Sequence, residues 1–318
     1  MANLTSFNLN YILYPRVTLR QLLDFFEGAP SLINIALTFS TPNSGAQNGQ
    51  LVSLACLRKL VFYGWEHPSL LLEHLLIPVS MEIRMDLDSD GPQIEDYLPR
   101  SLNNLRNLSN FTKIHLHFRS DIVSMQFAGP NGRVLITAMA ASADANRLVT
   151  QSLTILDILK TKWLEIIGSE SLSEGIHQAL LSMQNLWTLT LSLCKDLCSF
   201  ILALAPNLTN PMACPKLEDL TFRTEERFDI KTMVGVAAAR ASAGPPLRSI
   251  RIINCGELVL SEGKIELLRH VSHVETSFEI SDVDFGVGDH CDLDYGDGDS
   301  SDEEGWEGGS SGDDSSIP

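Results

Sequence analysis

Apolar residues recur along this chain at i, i+3 and i+5, with polar residues between them. The set runs Leu4-Phe7-Leu9, Leu32-Ile35-Leu37, Leu57-Leu60-Phe62 and Phe111-Ile114-Leu116, then Leu186-Leu189-Leu191, Leu217-Leu220-Phe222 and Leu247-Ile250-Ile252. Looser versions lie at residues 79–85 and 162–167. The last two members of each triad alternate, so on a strand they share one side. Neighbouring copies begin 28, 25, 31 and 30 residues apart. Between them the apolar spacing changes to that of helices, over 18–30, 68–78, 172–185, 195–207, 229–244 and 261–274. The first of these opens on Thr18 and closes on Gly28-Ala29-Pro30, a start and a stop signal. Residues 120–139 break the pattern: two runs flank Pro130-Asn131-Gly132 and predict a β-hairpin inserted into the series. An Ala-rich stretch then leads into a helix predicted over 149–160.

A strand–helix unit of this length, with L-x-x-L-x-L at each strand, predicts an α/β leucine-rich-repeat solenoid with irregular repeats. The parallel β-sheet would form its concave side and the helices its convex side, over residues 1–281. No single unit can bury its apolar face alone, so the units must stack into one continuous core. Strands that share one register of leucines, instead of reading as continuous apolar runs, argue against a doubly wound sheet.

Charge divides the 318 residues unevenly. The net charge is −17, and residues 282–318 hold 13 of the 40 acidic residues with no Lys or Arg, so the repeat region is nearly neutral. That segment, rich in Gly, Ser and acid, has the composition of a disordered tail. Ser300, Ser301, Ser310 and Ser311 each have an acidic residue three positions later, which suits phosphorylation by an acidophilic kinase. The six cysteines follow no disulfide framework, the start lacks a signal-peptide pattern, and no apolar run is long enough for a bilayer. A cytoplasmic or nuclear monomer, with no membrane and no nucleic-acid partner, is the expectation.

Four patterns imitate chemical sites. Asp86-Leu87-Asp88-Ser89-Asp90-Gly91 opens like a calcium loop, but Tyr97 stands where the bidentate Glu belongs, so it reads as a charged turn. Cys194 and Cys198 have no second pair at zinc spacing and read as buried thiols, at a strand end and on the apolar face of the next helix. His115 and His117 share one strand side without a third ligand and read as surface residues. Gly308-Gly309-Ser310-Ser311-Gly312 fits G-x-S-x-G but lies in the tail, away from any strand-to-helix turn. No catalytic, cofactor or metal site is expected, and the chain reads as a non-enzyme.

The segments LEDLTFRTEERFDIKTMVGVAAARASAGPPLRSIRIINCGEL (217–258), FAGPNGR (127–133) and PRVTLRQLLDFFEGAPSL (15–32) resemble the leucine-rich-repeat region of F-box proteins from mushroom-forming fungi. The resemblance covers most of residues 4–280. It implies non-catalytic protein recognition, as in the substrate-binding part of an F-box subunit of a cullin-type ubiquitin ligase. In that family an N-terminal F-box docks on the ligase adaptor. No Leu-Pro-x-Glu helix precedes Leu4 here, so an adaptor partner is expected only with an upstream F-box. Two alternatives share the plan: an acid-tailed repeat chaperone for a histone-like basic partner, and a stand-alone scaffold that has lost its ligase contact.

Side chains at i+2, i+4 and i+6 of each triad should face the concave side and meet the protein partner. The candidates are Lys59, Tyr63, Lys113, His115, His117, Asp219, Thr221, Arg223 and Arg251, with Val61, Thr188, Thr190, Ser192, Ser249 and Ile253 beside them. The acidic tail would compete with that partner for Lys59, Lys113, Arg223 and Arg251. Deleting 282–318 should then tighten partner binding at low ionic strength, and unchanged affinity would refute the competition.

Overall fold

Each of the seven i, i+3, i+5 triads delivers one strand to a single sheet. The computed structural model describes residues 4–10, 17–38, 51–87, 93–99, 101–105, 108–206, 212–224, 230–253 and 260–277. In chain order the elements are β1 (Ser6–Leu9), α1 (Leu19–Glu27), β2 (Asn34–Thr38), β3 (Val52–Ser53), β4 (Lys59–Tyr63), α2 (Pro68–Leu72), β5 (Leu75–Leu76), β6 (Met81–Leu87) and α3 (Ile94–Tyr97). Then come β7 (Lys113–Arg119), β8 (Ile122–Gly129), β9 (Gly132–Met139), α4 (Ser142–Ile155), β10 (Trp163–Ile167), α5 (Glu174–Ser182) and β11 (Thr188–Ser192). The chain continues through α6 (Leu197–Ala203), β12 (Asp219–Arg223), α7 (Ile230–Ala243), β13 (Ser249–Ile253), α8 (Leu260–Leu267) and β14 (His273–Ser277).

Twelve strands form one sheet in the order β1-β2-β4-β6-β9-β8-β7-β10-β11-β12-β13-β14. All neighbours are parallel except β7–β8 and β8–β9, which are antiparallel. The second triad residues line up across the whole sheet, from Ile35 and Leu60 through Ile83, Leu189 and Leu220 to Val274, and all are buried. The third residues make a second buried row, from Leu37 and Phe62 to Phe222 and Ile252. Parallel connections between neighbours are almost always right-handed, which collects the helices on one face. Burial agrees, since the alternate strand residues on the other face remain largely half-exposed or exposed. The helices pack side by side on the covered face, α4 against α5, α6 against α7, and α7 against α8.

Local signals set the helix starts. Thr18 Oγ1 accepts the Gln21 N–H at 3.2 Å while Gln21 Oε1 accepts the Thr18 N–H at 2.9 Å, a reciprocal capping box. Ser173 caps α5 and Asp196 caps α6 in the simpler way. Three expectations need correction. The helix expected over 68–78 stops at Leu72, because Leu75–Leu76 pairs with Val52–Ser53 instead. The helix expected over 261–274 ends at Leu267, and Val274 becomes a strand residue aligned with Ile250. The helix expected over 149–160 runs from Ser142 to Ile155. In the first two cases a short apolar run fitted both periods, and pairing with a neighbouring strand decided it.

The hairpin predicted at 120–139 exists as β8 and β9, with Gly129 opposite Gly132, but it does not stand apart from the series. β9 pairs with β6 and β8 with β7, so both strands lie inside the sheet. Val123, Met125 and Phe127, with Val134, Ile136 and Ala138, continue the buried rows. Among the described residues no helix is long and apolar enough to cross a membrane. The reading of 282–318 as a tail, with Ser300, Ser301, Ser310 and Ser311, lies outside the described residues, as do residues 88–92 of the calcium-like turn.

The uncovered sheet face as candidate interaction site

Register turns the polar strand positions into three rows across the uncovered face. One row contains Lys59, Glu82, Arg133, Ala128, Lys113, Trp163, Thr188, Asp219 and Ser249. The next contains Val61, Arg84, Leu135, Gln126, His115, Glu165, Thr190, Thr221 and Arg251. The third contains Tyr63, Asp86, Thr137, Ser124, His117, Ile167, Ser192, Arg223 and Ile253. All nine residues expected to meet a partner therefore share this face.

They do not contribute equally. Lys59, Lys113, Arg223 and Arg251 are exposed, and Tyr63, His115, His117, Asp219 and Thr221 are partly buried. Four flanking positions expected to be presented are instead closed off: Val61 is 4% exposed, Thr190 8%, Ser192 3% and Ile253 3%. They are short or branched side chains, each beside one longer cross-strand neighbour about 4.8 Å away: Arg84 next to Val61, Glu165 next to Thr190, and Arg223 next to Ser192 and Ile253.

Charged pairs occupy the two flanks. Lys59 Nζ lies 3.7 Å from Glu82, and Arg84 Nε donates to Asp86 at 3.0 Å while its guanidinium lies over the Tyr63 ring. Burial raises the Asp86 carboxyl above its ordinary value, against the opposing pull of Arg84 and of the Thr137 hydroxyl. On the other flank Arg248 donates to Asp219 at 2.7 Å, Ser249 Oγ donates to the same carboxylate at 2.6 Å, and Arg251 donates to Glu275 at 2.7 Å.

The centre is different. His115 Nδ1 is 3.0 Å from Glu165, and its ring rests against Trp163 with centroids 4.3 Å apart. Burial and the Arg119 guanidinium hold His117 below its ordinary value, so it is neutral near pH 7. Among the described residues, Lys113, Arg119 and Arg133 on the central strands form no ion pair with a carboxylate, and neither does Arg223. Of the four cations expected to attract acid, Lys59 and Arg251 are thus already matched, whereas among the described residues Lys113 and Arg223 are not.

Sequence reasoning missed the centre of this face. Trp163 and Glu165 follow from the alternation within residues 162–167, which had been noted only as a loose triad. Trp187, 48% exposed just before β11, carries no periodic signal. The thiols also divide differently from expectation. Cys194 and Cys214 are buried and pushed up to about 11 and about 12, which makes them poor nucleophiles. Cys198 is exposed, because the buried positions of α6 are Leu197, Phe200 and Ile201. Among the described residues no three His, Cys, Asp or Glu side chains converge as metal ligands. No protein-family model matches this chain, and no curated protein is significantly similar to it.

Proposed function

We propose that the protein is a non-catalytic recognition module, a leucine-rich-repeat solenoid whose uncovered sheet face captures a protein partner. The observation that supports this reading best is the asymmetry of the sheet: twelve strands bury one face under helices and present three ordered rows of mixed side chains on the other. A face of that extent, built on rigid strands, suits a protein surface better than a small molecule. The triad residues from Leu32 to Ile252 support the repeat reading, since they belong to one continuous buried core. The resemblance to F-box repeat regions supports a substrate-capture role in a cullin-type ubiquitin ligase. The unmatched cations at the centre favour an acidic or neutral partner over a histone-like one.

A photo-crosslinking side chain at Thr221 or Ser124, on the face, tests the proposal against the same group at Gln178 or Ser242, exposed on the helices. Saturable adducts with a defined protein are expected from the face positions alone. Equal labelling from both sides would refute recognition by the face. Accumulation of the captured protein on depletion of this chain separates a degradation receptor from a scaffold, which would leave the level unchanged.

A further inference from the structure

The N-terminal end of the central strands carries lysines that are held in place without being neutralised. Lys160 Nζ donates to the Asn110 side-chain oxygen, and Lys216 Nζ donates to Asn185 Oδ1 at 2.8 Å. Lys162 Nζ lies 5.5 Å from the centroid of the Trp187 ring. Each is anchored by a neutral amide or an aromatic face, which fixes its position and leaves its charge uncompensated. Lys113 lies beside them, in register with Trp163. Of the carboxylates near this end, Glu82 pairs with Lys59 and Glu218 and Asp219 pair with Arg248, while Asp157 accepts the Leu159 N–H at 3.3 Å and forms no ion pair with these lysines among the described residues.

The lysines surround apolar surface. Trp187 is 48% exposed and Leu159 57% exposed, and Asn185 ties their loops together by donating to the Leu159 carbonyl at 3.0 Å. The backbone keeps the group compact, since Lys162 N–H and Trp163 N–H both donate to Thr112 O, and Trp187 N–H and Thr188 N–H both donate to Lys162 O. An exposed indole with one cation over its ring and others on the adjoining loops is a poor surface to leave in water and a good one to cover with matching chemistry.

We propose that Lys113, Lys160, Lys162 and Lys216, around Trp187 and Leu159, form a docking site for a short acidic protein segment with an aromatic or aliphatic residue among its carboxylates. This rests on the recognition role proposed above. The segment's carboxylates accept hydrogen bonds from the lysine ammonium groups, and its apolar side chain covers the indole. A nucleic-acid strand fits less well, because the charges on either side of the patch lie in ion pairs, Lys59 with Glu82 and Arg248 with Glu218 and Asp219, and offer a continuing phosphate backbone little net positive charge.

The test uses the full chain and three labelled probes of equal length: a peptide of repeated Glu-Glu-Phe, a polyglutamate peptide and an oligouridylate. The Glu-Glu-Phe peptide should bind about tenfold more tightly than polyglutamate, quench tryptophan fluorescence and weaken as salt rises. The double charge reversal Lys113→Glu with Lys162→Glu should reduce binding by at least about tenfold, as should Trp187→Ala. Arg269→Glu, on the exposed turn after α8, should leave binding unchanged. All the altered side chains are exposed, and thermal melts confirm that each variant is folded. The proposal is overturned if the wild type does not bind the Glu-Glu-Phe peptide, if the double reversal binds as the wild type does, or if oligouridylate binds more tightly. Should the crosslinker at Thr221 capture the same protein equally well in the double reversal, face recognition stands and this docking site falls.

Discussion

Arg240→Leu should destabilise the protein by about 3–5 kcal/mol, the largest single loss expected from a side chain outside the sheet. Arg240 lies on α7 with no exposed surface, and among the described residues it has no carboxylate partner. Its guanidinium donates to three carbonyl oxygens instead: Nη1 to Leu204 at 3.0 Å and Ala213 at 2.9 Å, and Nη2 to Cys214 at 2.8 Å. Leu204 closes α6, so its carbonyl belongs to the negative end of that helix. Leucine fills a similar volume but takes from the Leu204 and Ala213 carbonyls the donor that satisfies them, at about 1–3 kcal/mol each, whereas Cys214 O keeps the Leu217 N–H at 2.9 Å. Release from burying a charge, which already pulls the Arg240 pKa down, offsets part of that loss. Arg240→Lys keeps the charge but not the fork that reaches two directions at once, and should fall between the two. Urea unfolding measures all three, and an Arg240→Leu variant within about 1 kcal/mol of wild type would show that the carbonyls are satisfied without the arginine.

Arg240 also marks where the sequence stops being informative. It stands in the run AAARASA, where an arginine among alanines reads as a solvent-facing position on a helix. Only the packing of α7 on α6 turns it inward. The strands were legible because a period of two combined with a fixed triad identifies both faces at once, and every triad from Leu32 to Leu247 has its leucines in the buried rows. The short elements β5, α3 and β14 were not legible, because none carries an apolar triad and so short a run alone cannot distinguish one period from another. The candidate face was half legible. Alternation within a strand assigned Lys59 and Arg251 to the correct side, but their partners Glu82 and Glu275 sit on other strands. Neither pairing can be read until the neighbour and its register are known, so counting cations along the sequence overstated the free positive charge on the flanks and missed its concentration at the centre.

The hairpin turn carries the same lesson into a second prediction. Gly129-Pro130-Asn131-Gly132 reads as turn chemistry, yet its glycines answer to the strands on either side. A Cβ on Gly132 would fall 2.3 Å from the Met81 carbonyl oxygen, at the seam where β9 meets β6, and one on Gly129 would fall 2.6 Å from the Asn110 carbonyl oxygen, beside β7. Gly132 also has φ of +130°, a conformation that side chains rarely adopt. Gly132→Ala should therefore cost about 3 kcal/mol or more, combining backbone strain of about 1–3 kcal/mol with a clash that only parting β9 from β6 can relieve. Gly235→Ala is the matched control: it lies within α7 with nothing within 4 Å of its added carbon, and should gain about 0.5–1 kcal/mol. The β6–β9 pairing is the join in the sheet between β1–β6 and the strands from β9 to β14. Loss at Gly132 should thus appear first as faster amide exchange along β6 and β9, with β11 to β13 still protected. Uniform loss of protection would mean instead that the whole sheet unfolds together and that the hairpin is no weaker a link than any other.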